Sequence, residues 1–210
     1  WGVRSAALPE GPTSTSRAVT NFVEGSWPTY HDAFQLAAQG HINGIHHLQW
    51  IQYEIDTLQK DPAAGLTAMR DRIAQKPIAH VAWYAWKPAL LWAWDIRIGQ
   101  GDIYVYPTRN SPFFTTGRLW ALEAACYIAN PALMVMMLAG VIFAIFRRDA
   151  PIIAKSSAIL VLFVTLIYSI LQSEPRYSIA FRGLEMLLAM SGAVGLSGLA
   201  RGIWKKTQHR

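Results

Sequence analysis

The alternation of apolar and polar positions divides the chain into two halves, and the C-terminal half carries the stronger pattern. Three apolar runs, residues 119–146, 151–171 and 184–203, are separated by short charged turns. At 1.5 Å rise per residue their 28, 21 and 20 residues extend roughly 42, 31 and 30 Å as helices. The hydrocarbon core of a bilayer is about 30 Å thick, so each run is long enough to cross it. Only Glu123, Lys155, Glu185 and Arg201 carry charge within them, each near an end. The pattern predicts three transmembrane helices.

The first half reads differently. Residues 1–20 hold two Pro and six Ser/Thr with little apolar content, which predicts an extended linker. Gly25 and Pro28 break the chain, and a short helix over residues 31–39 is stopped by Gly40. Residues 41–59 place Ile45, Leu48, Ile51, Ile55 and Leu58 at helical spacing and predict an amphipathic helix. Asp61-Pro62 then opens a second helix to about Gln75, Pro being favoured in a first helical turn.

Residues 79–96 are apolar enough for a span but are split by Lys87-Pro88 and closed by Asp95. Trp83, Tyr84, Trp86, Trp92 and Trp94 dominate this run, and such rings concentrate at the membrane–water boundary. A helix lying in the outer interface is predicted in preference to a fourth span. Residues 99–107 read as a turn and a short strand-like piece. The expected architecture is an α-helical integral membrane protein. An extracytoplasmic, partly amphipathic helical region (1–118) lies on the membrane surface, ahead of a three-helix membrane domain (119–210).

Charge fixes the orientation. Residues 1–118 hold ten Lys/Arg and nine Asp/Glu, whereas residues 119–210 hold nine and four and so supply most of the net +6. Arg147, Arg148 and Lys155 lie around the turn after the first span, and Arg201, Lys205, Lys206 and Arg210 lie at the end of the third and beyond it. Basic flanks mark the cytoplasmic side. Residues 1–118 and the turn 174–182 then lie outside, in the periplasm if the membrane is a bacterial inner membrane, with the C-terminus cytoplasmic. The basic residues form a membrane flank and not a stripe interleaved with aromatics, so no nucleic-acid partner is expected. The chain carries neither an initiator Met nor a signal peptide, so either the C-terminal part of a longer protein or a processed product is expected, with upstream helices or other subunits as partners beside the lipid bilayer.

Little of the usual catalytic chemistry is present. Cys126 stands alone, which excludes an internal disulfide and a cysteine zinc site. His46 and His47 are adjacent and point apart on a helix, and His41 fits neither face well, so no metal site is expected. No His lies in the three apolar runs, which argues against axial ligation of haem or chlorophyll there. Asp95 and Asp102 bracket the 99–101 turn, where they either orient a sugar or cation or cap the turn. Asn130-Pro131 predicts a kink in the first span. Ser191, Gly195, Gly198 and Gly202 predict a small-residue face for close helix packing in the third.

The sharpest local feature is Glu174-Pro175-Arg176-Tyr177, in the outer turn between the second and third spans, with Arg182 following. A guanidinium fork suits a lipid phosphate. The alternative is an arginine that snorkels to headgroups or pairs with Glu174. This motif resembles the C-terminal region of bacterial membrane glycosyltransferases, the family related to dolichyl-phosphate-mannose protein mannosyltransferases and lipid A aminoarabinose transferases. The block Lys87-Pro88, Trp92-Ala93-Trp94-Asp95-Ile96 and Gly99-Gln100-Gly101-Asp102-Ile103-Tyr104-Val105-Tyr106-Pro107 also resembles that group, and the likeness covers about residues 20–200. It implies sugar transfer from a polyprenyl-phosphate donor at the outer face, with Arg176 and Tyr177 neighbouring the lipid-phosphate pocket. The family's catalytic carboxylate belongs to a first outer loop that this chain lacks, so no catalytic residue is assigned and the chain is not expected to catalyse by itself. The rival expectation is an accessory subunit that packs against a larger respiratory or photosynthetic membrane complex.

Overall fold

Local chemistry starts and stops the helices much as the sequence predicts. The computed structural model describes residues 14–93 and 117–208. Asp61 caps α4 (Pro62–Gln75): its Oδ1 accepts from the Ala63 and Ala64 amides at 3.0 and 3.1 Å, with Pro62 in the first turn. Gly40, at φ +80°, ends α2 (Tyr30–Ala38). The Gly40 and His41 amides return to the Ala37 and Leu36 carbonyls, the paired bonds of a Schellman closure. Between them lies α3 (Ile42–Lys60), and α1 (Ser14–Gly25) precedes both.

Residues 14–20 are therefore not an extended linker. Thr20 back-bonds the Ser16 carbonyl at 3.0 Å, and Val19, Phe22 and Val23 follow at helical spacing. Val23 is buried with Ile51, Ile55, Leu58 and Met69, and that tertiary contact outweighs the weak helix propensity of the Ser/Thr tract. The helices α3 and α4 approach so closely that a methyl group on Gly65 would meet the Leu58 backbone at 2.5 Å.

The chain divides into two compact units, residues 1–85 with 169–172 and residues 86–168 with 173–210. The division falls inside α5 (Pro77–Leu91). Asp95, Asp102 and the 99–107 segment lie outside the described residues.

The second unit is built on α6 (Gly117–Phe146), α7 (Ile152–Ile170) and α9 (Arg182–Gln208), with the single-turn α8 (Pro175–Ser178) and a 3-10 turn (Ile179–Phe181) leading into α9. Three stretches, Ala124–Phe146, Ile152–Ile170 and Pro175–Gly198, are long and apolar enough to cross a membrane. Pro131 sits inside α6 without ending it. Core positions recur at helical spacing: Met137, Val141 and Ala144 on α6, Ala154, Ala158 and Val161 on α7, with Leu188 on α9. Gly140 and Gly192 bring α6 and α9 together. A methyl on Gly140 would collide with the Leu188 carbonyl, and one on Gly192 with the Met136 carbonyl. Only 28, 28 and 22% of the three apolar windows is buried within the protein, so most of each helix presents aliphatic side chains outward. Water is a poor solvent for such a surface and hydrocarbon a good one. Among the described residues no strand is present. The chain is an α-helical membrane protein.

Candidate functional site

The turn between α7 and α9 is assembled from local bonds. Ser173 Oγ donates to the Tyr168 carbonyl at 2.6 Å, and Pro175 starts α8 directly after Glu174. Ser178 Oγ closes that turn on the Pro175 carbonyl at 2.7 Å. The Glu174 carboxylate is thereby held inside and meets Arg176 Nε at 2.7 Å. The Arg176 Nη2 group donates to the Tyr177 hydroxyl at 2.7 Å, and Tyr177 stacks on Tyr168 with ring centres 4.7 Å apart and planes 8° from parallel. The pair is asymmetric: the Glu174 side chain is 3% exposed and that of Arg176 is 29% exposed. A buried carboxylate therefore sits against a half-buried arginine whose Nε is itself buried and whose guanidinium lies 4.5 Å over the Tyr177 ring.

Arg182 belongs to a separate cluster in the same unit. It meets Glu185 Oε2 at 2.7 Å and donates from Nη1 to the Trp92 carbonyl at 3.0 Å and from Nη2 to the Ala93 carbonyl. Asn130 Nδ2 donates to the same Trp92 carbonyl at 3.1 Å, and the Trp92 indole donates to Thr165 Oγ1 at 2.9 Å. The fork of Arg182 thus caps the C-terminal carbonyls of α5, which lack helical partners. It serves architecture here. Lys87, in the same unit, is fully buried, and burial pushes its ammonium down to about 7.

The first unit holds a polar cluster that the sequence reading passed over. Glu54 accepts from Arg72 through both oxygens, at 3.0 and 3.1 Å, and from the Trp27 indole at 2.8 Å. Arg72 also donates to the Ser26 carbonyl at 3.1 Å and to Ser26 Oγ at 2.7 Å, with its guanidinium 4.1 Å over the Trp27 ring. Buried His80 has its pKa lowered, first by burial and then by Arg72. The helical pattern of residues 41–59 set Glu54 with Gln49, Gln52 and Asp56, mainly off the apolar face. The structure instead buries it with Ile51 and Leu58, three and four residues away on one side of α3, where a charge requires a buried partner.

The remaining predicted positions separate. His47 Nε2 shares a hydrogen with Thr29 Oγ1 at 2.8 Å, and His31 packs near Trp83. Among the described residues no group of three His, Cys, Asp or Glu side chains is placed to hold a metal. On α9, Gly195 faces the Phe143 ring, Ser191 bonds back to the Leu187 carbonyl, and Gly198 has nothing near it. The surroundings of Gly202 lie outside the described residues.

The Glu174–Arg176–Tyr177 turn places a guanidinium, a group whose chemistry suits an anion, beside membrane-length helices. No family model matches the chain, and no curated protein or solved structure matches it either.

Proposed function

We propose that this chain is the C-terminal membrane module of a polyprenyl-phosphate-dependent glycosyltransferase-like protein of a bacterial inner membrane. In this reading residues 1–118 face the periplasm and the C-terminus faces the cytoplasm. The module does not catalyse alone. It supplies Arg176 as the ligand for the donor's phosphate, with Tyr177 and Glu174 positioning it. The observation that supports this is the asymmetry of the ion pair, a buried carboxylate against an arginine side chain that keeps 29% exposure. Arg182 is excluded from donor contact, since its fork is committed to Glu185 and two backbone carbonyls. The bond from Nη2 to the Tyr177 hydroxyl fixes the plane of the Arg176 fork.

The test is retention of a polyprenyl monophosphate by the protein purified in mild detergent, read by native mass spectrometry. Arg176→Ala is expected to weaken retention by tenfold or more, and Arg176→Lys by less, because a point charge survives without the fork. Equal retention by wild type and Arg176→Ala would refute the assignment. A second reading, an accessory subunit of a larger membrane complex, draws on the low burial of the three spans, which leaves broad faces for other helices. Stable co-purification with other membrane subunits and no lipid-phosphate retention would favour it.

A further inference from the structure

The helix α5 is built inside out. From Pro77 to Leu91 every exposed position is apolar, and the titratable side chains turn inward. Ile78, Val81 and Trp86 are 84, 70 and 63% exposed, while His80 is 6% and Lys87 0% exposed. At 100° per residue Ile78, Ala79, Val81, Ala82, Ala85 and Trp86 fill one arc of about 160°. His80, Tyr84 and Lys87 fall on the opposite side. Its sequence neighbours expose apolar and polar side chains together: Leu66 beside Arg70 and Asp71 on α4, and Trp50 and Tyr53 beside Gln52 and Asp56 on α3. Of these three helices α5 alone exposes no polar side chain, and a water-facing helix places its polar stripe outward, so the difference concerns the medium α5 meets.

The expectation of an interfacial helix rested on its aromatic rings, and most of them point elsewhere. Trp83 donates to the Gly25 carbonyl at 2.8 Å, and Trp92 is buried with its indole on Thr165. What faces outward is mainly aliphatic and small. We infer that the arc from Ile78 to Trp86 is a lipid-contact surface and that α5 lies in the plane of the bilayer, its apolar face in acyl chains and its polar face against protein. Its 15 residues extend about 22 Å, short of the roughly 30 Å hydrocarbon core. The three bilayer-length helices of the same chain supply the membrane that this face requires.

Spin labels test this directly in proteoliposomes. Cys126 is the chain's single cysteine, so a Cys126→Ser background accepts labels at Ile78→Cys, Val81→Cys, Ala85→Cys and Trp86→Cys, with Thr67→Cys and Asp71→Cys on α4 as references. Collisions with oxygen, which partitions into hydrocarbon, are expected to exceed those with a water-soluble nickel chelate at the α5 sites, and the order is expected to reverse on α4. All α5 sites should report similar depth. Nickel-dominated collisions at α5 would mean water, and low collisions with both reagents would mean a protein cover; either overturns the inference. A steady depth gradient approaching 12 Å from position 78 to 86 would mean a crossing helix and would overturn the in-plane placement. Carbene footprinting of the unsubstituted protein with lipid-soluble and water-soluble diazirines gives the same discrimination without labels.

Discussion

Removing the Glu54 carboxylate tests whether the first unit depends on its buried ion pair. Glu54 neutralises Arg72 through both oxygens and also accepts the Trp27 indole, and both side chains are mostly buried. Glu54→Ala leaves a guanidinium desolvated over an indole ring with only the Ser26 carbonyl and hydroxyl as acceptors. Breaking one side of a buried pair costs about 3–5 kcal/mol. The Arg72 side chain retains 16% exposure, which allows some hydration and places the expected cost near the lower limit, about 3 kcal/mol. Glu54→Gln keeps an acceptor for Trp27 and loses the charge, for about 1.5–3 kcal/mol. The double variant Glu54→Leu/Arg72→Met removes both charges together, so it should cost less than the sum of the single changes by about 2 kcal/mol.

Native-state hydrogen exchange of the full chain in detergent micelles reads these costs locally. Amides of α3 and α4 should lose roughly two decades of protection in Glu54→Ala, since about 1.4 kcal/mol corresponds to a factor of ten. The double variant should lose less protection than the summed losses of Glu54→Leu and Arg72→Met, by more than one decade. A loss below tenfold in Glu54→Ala would show that the pair contributes little. Strict additivity in the double variant would show that the two side chains act independently, against the bidentate geometry.

Other perturbations probe the second unit. Gly140→Ala forces a methyl against the Leu188 carbonyl and should lower the melting midpoint by the equivalent of about 1–3 kcal/mol, whereas Gly198→Ala meets open space and should raise it by up to about 1 kcal/mol. Arg182→Lys replaces a fork by a point and cannot hold Glu185 and two carbonyls at once; a loss of about 1.5–3 kcal/mol per charged bond given up is expected from paired thermal melts. Lys87 is depressed to about 7 in the folded protein and titrates near 10.4 when unfolded, so between these limits the unfolded chain binds the extra proton. Stability should therefore rise with pH from 7 towards 10, by at most about 1.4 kcal/mol per unit, and Lys87→Met should abolish that rise; parallel slopes for the two proteins would refute it.

The spans were legible because bilayer crossing depends on composition and length, which a linear reading contains in full. Helix ends at Asp61 and Gly40 were legible for a similar reason: each is decided within a few residues of chain. Azimuth was harder. A run that is apolar nearly all round does not say which side turns inward, so the tryptophans of residues 79–96 suggested an outward aromatic belt while Trp83 and Trp92 in fact donate to partners within their own units. The usable signal was the weaker one, His80, Tyr84 and Lys87 at spacings of four and three, a polar stripe on an apolar helix. Register shows the same limit. A row of small residues from Ser191 to Gly202 marks α9 as able to approach another helix, but Gly140 on α6 sets the crossing point, and this selects Gly192 and Gly195 over Gly198. Arg176 and Arg182, flanking the turn between α7 and α9, were both candidate phosphate ligands until their acceptors were located. Arg182 reaches carbonyls some ninety positions earlier in the chain, and Arg176 reaches a carboxylate two positions away. Only the second contact is local, and the Arg176 side chain is the more exposed of the two, 29 against 17%. What draws an arginine into the architecture is therefore the position of a partner distant in sequence, which no spacing rule within the turn contains.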